Sequence, residues 1–441
     1  MQEFPELLEQ TKSVLEHNDK GSWTIPASGL YPHQWLWDSC FIAIGQRHFD
    51  VKRAQIELLS LLRGQWDNGM LPNMILTQGI INRHSPELWR SDTSAFSPDN
   101  IQTSGITQPP MLAQAVYSVG EKLSLPERRS WYKKMLPALI AYHTWMYSDR
   151  DPRNEGLITL LHPWETGLDN TPPWMHNIHQ NAIPLWIRTI RNLKLENIFT
   201  LLRKDRKYAL PGERLSTIDG LLLYSLQRKL RSQQYDTSRI LRHSKVAIQD
   251  VTFNAILIRA NTILASIAKT VGYSLPEDLL DNFELSSTAF EQLWDGYNRQ
   301  YYSRSYKSQK LIRVGSIGSL MALYAGSISP ERAALLIENL HDKKLFDAKY
   351  PVPSVPLNSS YFKHHTYWQG PTWINTNWLL ADGLDRYGFK SEALEIRSKS
   401  IELVTEHGSY EYFSPIDGTP AGADNFSWTA ALTIDFLHQN K

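Results

Sequence analysis

The sequence predicts an all-α protein in which helical hairpins close into a ring, an (α/α) barrel with long loops on one face. Three observations carry that expectation. Apolar residues recur at helical spacing through nearly every long segment, strand-like alternation is scarce, and the non-helical stretches are few, long and flanked by tryptophans. A solenoid would need a repeating period, which is absent, and a four-helix bundle is too small for 441 residues. No break in composition marks a second domain. The expectation is therefore one domain over 1–441, with loop insertions around 66–108 and 195–211 over the site.

The elements follow in order. Residues 5–18 (PELLEQTKSVLEHN) and 51–65 (VKRAQIELLSLLRGQ) place apolar side chains on one helical face, the second behind Asp50 as N-cap. Further helices are predicted at about 38–48, 109–123, 126–149, 177–194, 213–230, 250–271, 276–294, 316–326, 330–342, 371–388, 390–407 and 427–439. Prolines open several, as in PPMLAQAV, PERRSWYKK, PEDLLDNF and PERAALLIENL, where the missing N–H of a first-turn residue costs nothing. YEYF is the best strand candidate, a small hairpin at one rim. The remaining long loops are 19–37, 66–108, 150–176 and 343–370. Residues 228–245 (RKLRSQQYDTSRILRHSK) are basic and rich in Ser and Gln; they read as a solvated loop, or functionally as a flap over the site.

Composition excludes several function classes. A net charge of +1 gives no reason to expect nucleic acid or an acidic membrane as partner. The start, MQEFPELLEQ, has acids where a secretory signal needs an apolar run, and no stretch approaches the roughly 20 apolar residues of a membrane helix. A lone cysteine, Cys40, rules out an internal disulfide and a Cys-rich zinc site. His364 and His365 are adjacent rather than at ligand spacing on a helix face, and a Gly-rich dinucleotide loop is absent. The expectation is a cytoplasmic protein with no cofactor and no metal; a homo-oligomer stays open.

The 15 tryptophans are unevenly spread, gathering in WLWD, in HPWE with PPW, and in YWQGPTWINTNW. Trp joins a broad apolar face to one N–H donor, which suits the C–H faces and hydroxyl rims of sugars. Two acid clusters share these loops: Glu165 and Asp169 in HPWETGLDN, and Glu411, Asp417 and Asp424 in GSYEYFSPIDGTPAGADNFSW. Acids in loops usually cap helices or form turns. Facing one pocket, however, a protonated and an ionised carboxyl can together hydrolyse a glycosidic bond. Terpene cyclases also combine helical barrels with aromatics, but no DDxxD or DxDD occurs. A catalytically silent sugar binder would keep the tryptophans and could lose either acid.

The strings YPHQWLWDSCFIAIG, NGMLPNMI, HPWETGLDN, YWQGPTWINTNW and EYFSPIDGTPAGADNFSWTAAL resemble glycoside hydrolase family 63, in the same order from about residue 28 to 435. The likeness is greatest to its short mannosylglycerate and glucosylglycerate hydrolases. The resemblance implies an (α/α)6 barrel and an inverting α-glycosidase acting on a small glycoside of glycerate. It implies Asp169 as general acid, matching E-[ST]-G-x-D-N, and Glu411, the acid before Y-F, as general base.

By the same resemblance Trp35, Trp37 and Asp38 line the pocket of the sugar being cleaved, although Asp38 also suits an N-cap on the helix SCFIAIG. Gln108 matches a sugar-binding glutamine, and Trp164 and Gly167 shape the same pocket. Tyr367, Trp368 and Trp373 match an aromatic wall opposite. Arg203 matches a glycerate-binding arginine, with Tyr208 assisting; an arginine fork is the natural partner for a carboxylate. Glu165 fits an orienting role better than that of the acid. One departure concerns the aglycone: the family segment continues Ser-Pro-Arg-Trp-Asp, whereas this chain reads Thr171, Pro172, Pro173, Trp174, Met175. Another small α-glycoside, such as a glucosylglycerol, is the alternative substrate.

Overall fold

The computed structural model describes residues 4–79, 86–181, 183–195 and 212–439. Twelve helices alternate between an outer and an inner layer. The outer ones are α1 (Pro5–Asn18), α3 (Val51–Leu62), α5 (Leu125–Arg150), α7 (Glu277–Ala289), α9 (Pro330–Leu340) and α11 (Lys390–His407). The inner ones are α2 (Leu36–Gln46), α4 (Leu112–Gly120), α6 (Val251–Val271), α8 (Gly318–Ala325), α10 (Ile374–Arg386) and α12 (Ser427–Gln439). Each inner helix packs against the next, and α12 returns to α2, so the ring closes as an (α/α)6 barrel.

Burial explains the two layers. Every residue of α2 and α8 is buried, as expected of helices with protein on all sides. By contrast α3 buries only Ala54, Glu57, Leu58, Ser60 and Leu61, a single face. Gly45 is required where α2 meets α12, since a Cβ there would collide with the Ala431 backbone. The main apolar cluster runs from Leu7 in α1 to Phe436 in α12. Caps set the helix starts: Asp50 accepts from Arg53 N at 2.9 Å, Asp250 from Phe253 N at 3.0 Å and Ser329 from Arg332 N at 3.3 Å.

Alternation also positions the site. Segments leading from an inner helix to the next outer one are short, whereas those leading into the inner helices are long and share one rim. The rim segments include 19–35, 151–181, 183–195, 212–250, 341–373 and 408–426, which hold most of the candidate residues. The YEYF hairpin is present: Tyr412–Phe413 pairs antiparallel with Pro420–Ala421.

Two predicted elements differ. The helix expected over 177–194 is two, Pro172–Asn181 and Leu185–Asn192, because Pro184 lacks an N–H and disfavours helix before it. Nor is 228–245 a solvated loop: the helix Thr217–Ser232 runs into it and Thr237–His243 follows, capped by Asp236. Its turn residue Tyr235 packs edge-on against Trp66, so apolar contact overrides the polar composition. Helix α6 has the length and composition of a membrane span, but most of it is buried inside the barrel. Of the insertion predicted over 195–211, all but Leu195 lies outside the described residues.

Candidate active site

Glu411 precedes the rim hairpin and is 1% exposed. Its Oε1 accepts from Tyr31 Oη at 2.7 Å and from Arg214 Nη1 at 3.2 Å. Its Oε2 accepts from Arg214 Nη2 at 2.6 Å and from Ala423 N at 2.9 Å. Gly422 makes this close fit possible: its φ is +77°, and a Cβ there would lie 2.5 Å from Oε2. The ion pair is buried on both sides, with Arg214 7% and Glu411 2% exposed at their side chains. Burial works against the charge of Arg214, but Glu411 and the tyrosines around it hold the guanidinium ionised, above its ordinary range. The same guanidinium lies over the rings of Tyr367 at 4.8 Å and Tyr31 at 5.5 Å. Its Nε–H is buried with no acceptor among the described residues.

Asp169 lies on the facing loop and is half-buried. Tyr367 Oη donates to its Oδ2 at 3.1 Å. The neighbouring residue fixes the loop: Asn170 Oδ1 accepts from Trp368 N at 2.9 Å, and its backbone carbonyl from Gln369 Nε2 at 3.3 Å. Tyr367 has φ +40°, left-handed backbone that a tyrosine rarely adopts, and its N–H donates to Glu213 O at 3.1 Å. This strained residue therefore touches both Asp169 and the segment that carries Arg214. Tyr31 Oη and Tyr367 Oη are 3.5 Å apart, so a path of hydroxyls joins Glu411 to Asp169. Burial, followed by the nearby acids, drives the Tyr367 phenol well above its ordinary range and keeps it a neutral donor.

Asp38 completes a trio of carboxyls. It sits in the first turn of α2, where Trp35 rather than Asp38 occupies the N-cap position, and it is 4% exposed. Burial chiefly, then the charges of Glu411 and Asp169, raise its carboxyl well above the ordinary range. Gln108 is buried and its Oε1 accepts from Trp37 N at 3.3 Å, tying the segment before α4 to the start of α2.

Three of the tryptophans, Trp37, Trp368 and Trp373, form one aromatic mass with Tyr412. Trp368 and Trp373 stack at 3.7 Å with planes 3° apart, Tyr412 lies against Trp373 at 4.6 Å, and Trp37 contacts Trp368 at 6.4 Å. Trp37, Trp368 and Trp373 are almost wholly buried; Trp35 and Trp164 are half-buried. What the missing Cβ of Gly167 admits is the Trp37 indole, 2.5 Å from where that atom would stand. Its φ of +73° ends the short turn that carries Trp164 and Glu165.

Glu165 is fully buried and holds the loop together. Arg150 donates to Oε2 at 3.1 Å and lies 2.8 Å from Oε1, while the N–H groups of Leu161, His162 and Thr107 also reach the carboxylate. At the departure in 171–175, Trp174 and Met175 are buried in the core. Asp417 and Asp424 are exposed, unlike Glu411; the Thr419 N–H chiefly holds Asp417 down at about 2.

Arg203 and Tyr208 lie outside the described residues. Sequence reasoning missed Arg214 and Tyr31. Tyr31 opens the WLWD motif string and could have been found there, whereas Arg214 follows a Pro-Gly turn with no local signal. Among the described residues one group has ligand atoms close enough for a metal: His364, His365 and Asp417, within 4.8 Å of one another at the partly exposed surface.

The chain is similar to known proteins over nearly its whole length. Residues 31–429 match the family model described as a mannosylglycerate hydrolase MGH1-like glycoside hydrolase domain. A mannosylglycerate hydrolase of Thermus thermophilus is 36% identical over 424 residues, covering 96% of this chain and 98% of that one. The glucosylglycerate hydrolase of Mycolicibacterium hassiacum is 29% identical, with 96% of each chain covered. The crystal structure of a GH63 mannosylglycerate hydrolase from Thermus thermophilus with Tris and D-glycerate superposes with a TM-score of 0.87, at 34% identity, over 97% of this chain and 99% of that one. Barrel, rim loops and paired acids thus accompany a family match over most of the sequence, and the chain belongs to the MGH1-like glycoside hydrolases of family GH63.

Proposed function

We propose that this protein hydrolyses a small α-glycoside of glycerate with inversion, Asp169 serving as general acid and Glu411 as general base. The observation that carries the reading is the hydroxyl path between the two carboxyls. Its links measure 2.7, 3.5 and 3.1 Å, so the oxygens they join lie no farther apart than that path. This caps the separation below about 9.5 Å, close enough for both carboxyls to act on one glycosidic bond, and the inverting course rests on the family resemblance. The mannosylglycerate and glucosylglycerate hydrolases among the relatives support glycerate as the aglycone.

In this mechanism Asp169 enters protonated and gives its proton to the glycosidic oxygen as that bond breaks. Glu411, ionised beside Arg214, takes a proton from water attacking the opposite face of the anomeric carbon. Asp38, whose carboxyl burial pushes well above the ordinary range, is suited to hydrogen-bond a sugar hydroxyl. The half-buried indoles of Trp35 and Trp164 offer apolar contact to the sugar's C–H face, while the stacked Trp368 and Trp373 support the site from within the core. Arg203 and Tyr208 keep the glycerate-binding roles that the family resemblance suggests.

Proton NMR of the purified protein with mannosylglycerate and with glucosylglycerate, followed from the first minutes, tests the reading. Fresh β-anomer supports inversion, and the faster substrate identifies the sugar. Release of the α-anomer overturns the acid and base assignment. Binding of both substrates without release of sugar or glycerate overturns the choice of substrate, and glucosylglycerol is then the next compound to assay.

A further inference from the structure

Glu411 has a crowded carboxylate. Each oxygen already accepts two hydrogen bonds, from Tyr31 and Arg214 at Oε1 and from Arg214 and Ala423 at Oε2. A carboxylate offers about four acceptor positions, so a base holding these four contacts must give one up before it can receive a proton from water.

The four are not equal. The contact of Arg214 Nη1 with Oε1 is the longest, at 3.2 Å, and Nη1 has a second acceptor in Tyr31 Oη at 2.7 Å. The Nη2 contact with Oε2 is the shortest, at 2.6 Å, and Ala423 N reinforces the same oxygen. Losing the Nη1 contact leaves that nitrogen bonded to Tyr31 and the ion pair intact through Nη2.

The segment bearing Arg214 is anchored to the Glu411 hairpin and to the loop that carries Tyr367. Tyr412 Oη donates to Glu213 O at 2.7 Å, Gly422 N to Glu213 Oε2 at 3.4 Å, and Thr366 Oγ1 to Gly212 O at 2.7 Å. The groups facing Glu411 are thus Tyr31 from the segment before α2, Asp38 from α2, Asp169 and Tyr367 from the facing loops, Arg214 and Glu213 from this segment, and Tyr412 from its own hairpin. Among the described residues Arg214 is the cation in contact with the Glu411 carboxylate, and an opposite charge at that distance favours the ionised form.

Resting on the reading of Glu411 as base, we propose that Arg214 is its positioning residue: Nη2 anchors Oε2 and preserves the ionised form, while Nη1 yields Oε1 to the attacking water. During attack a water O–H bond breaks toward Oε1 as the new bond forms to the anomeric carbon. The departing oxygen takes the proton of Asp169. Glu411 then loses its proton to solvent, and Asp169 regains one.

The test is the pH dependence of kcat and kcat/KM on mannosylglycerate for Arg214→Gln and Arg214→Lys, with circular dichroism as a check on folding. Arg214→Gln should move the acid limb of kcat/KM upward by about 1–3 pH units, the scale of one close opposite charge. It should also lower kcat about 10²-fold through misplacement of the base. Arg214→Lys keeps the charge and loses the fork, so its limb stays near that of wild type while kcat still falls. A folded Arg214→Gln with an unmoved limb overturns the proposal. So does Arg214→Lys with wild-type kcat, a result that remains decisive if the Gln variant does not fold. Glu411→Gln separates the two claims: if it turns over normally the base assignment fails, whereas if it is inactive and the Arg214 variants behave as wild type, only the role of Arg214 fails.

Discussion

Two acids share the loop 162–170, and the proposed mechanism gives them different work that Glu165→Gln can separate. In the wild type Oε2 of Glu165 accepts from Leu161 N at 2.6 Å, His162 N at 3.2 Å and Arg150 Nη1 at 3.1 Å; Oε1 faces Thr107 N at 3.4 Å and Arg150 Nη2 at 2.8 Å. A glutamine can place its oxygen on the first set only by turning its NH2 toward the second, donor against donor. The charge opposite buried Arg150 is also lost; Asp149, 3.1 Å from Nε, remains. Breaking a buried pair typically costs about 3–5 kcal/mol, and the remaining partner argues for the lower end. With an unfolding entropy of about 2 cal/mol/K per residue, a loss of about 3 kcal/mol lowers the melting temperature of a chain this size by roughly 3 °C. Thermal melting by circular dichroism reads the loss of stability, and the pH profile of kcat shows whether the catalytic acid has changed. Glu165→Gln should melt earlier and keep the shape of the profile. Unchanged melting with abolished turnover would refute the division of labour and make Glu165 the candidate acid.

Other outcomes follow from the same geometry. Asp169→Asn and Glu411→Gln should each lower kcat by about 10²–10⁴-fold while the circular dichroism spectrum is retained; near-normal turnover in either removes that residue from its role. Glu411→Gln should also melt earlier than Asp169→Asn, because it strands the buried Arg214. Gly422→Ala would force a Cβ against Glu411 Oε2 and strain a φ of +77°, so kcat should fall about 10²-fold; wild-type kcat would mean that the carboxylate position is uncritical. His143 and His162 are fully buried, and burial pushes both imidazoles down to about 4. Below about pH 6.5 the unfolded chain takes up protons that the folded chain refuses, so this contribution is complete above pH 6.5 and shrinks as the pH falls toward 4. By pH 5 the loss is about 2 kcal/mol per histidine. His162→Gln, which can keep the bond to Leu223 O, should therefore lose less stability than wild type between pH 7 and pH 5 in urea unfolding; equal losses would refute the buried neutral state.

Local chemistry was legible wherever three or four residues decide the outcome. The helical spacing in PELLEQTKSVLEHN yields α1, Asp50 caps α3, and Pro330 opens α9 behind Ser329. The motif strings placed Trp164, Trp368, Trp373, Asp169 and Glu411 on rim segments, because helices cannot hold that density of Gly and Pro, whereas Trp37 falls inside α2. By contrast, the helix predicted over 177–194 ignored Pro184, and the composition of 228–245 concealed Tyr235, which finds its apolar partner in Trp66 far earlier in the chain.

The partner of each acid was settled only by the tertiary structure. Arg150 reaches Glu165 across 15 positions, Arg214 reaches Glu411 across 197, and Tyr31 reaches the same carboxylate across 380. Periodicity and capping act within a helical turn and leave a trace in neighbouring residues. A charge paired across the barrel leaves none, because its free energy depends on burial and distance that exist only once the ring has closed.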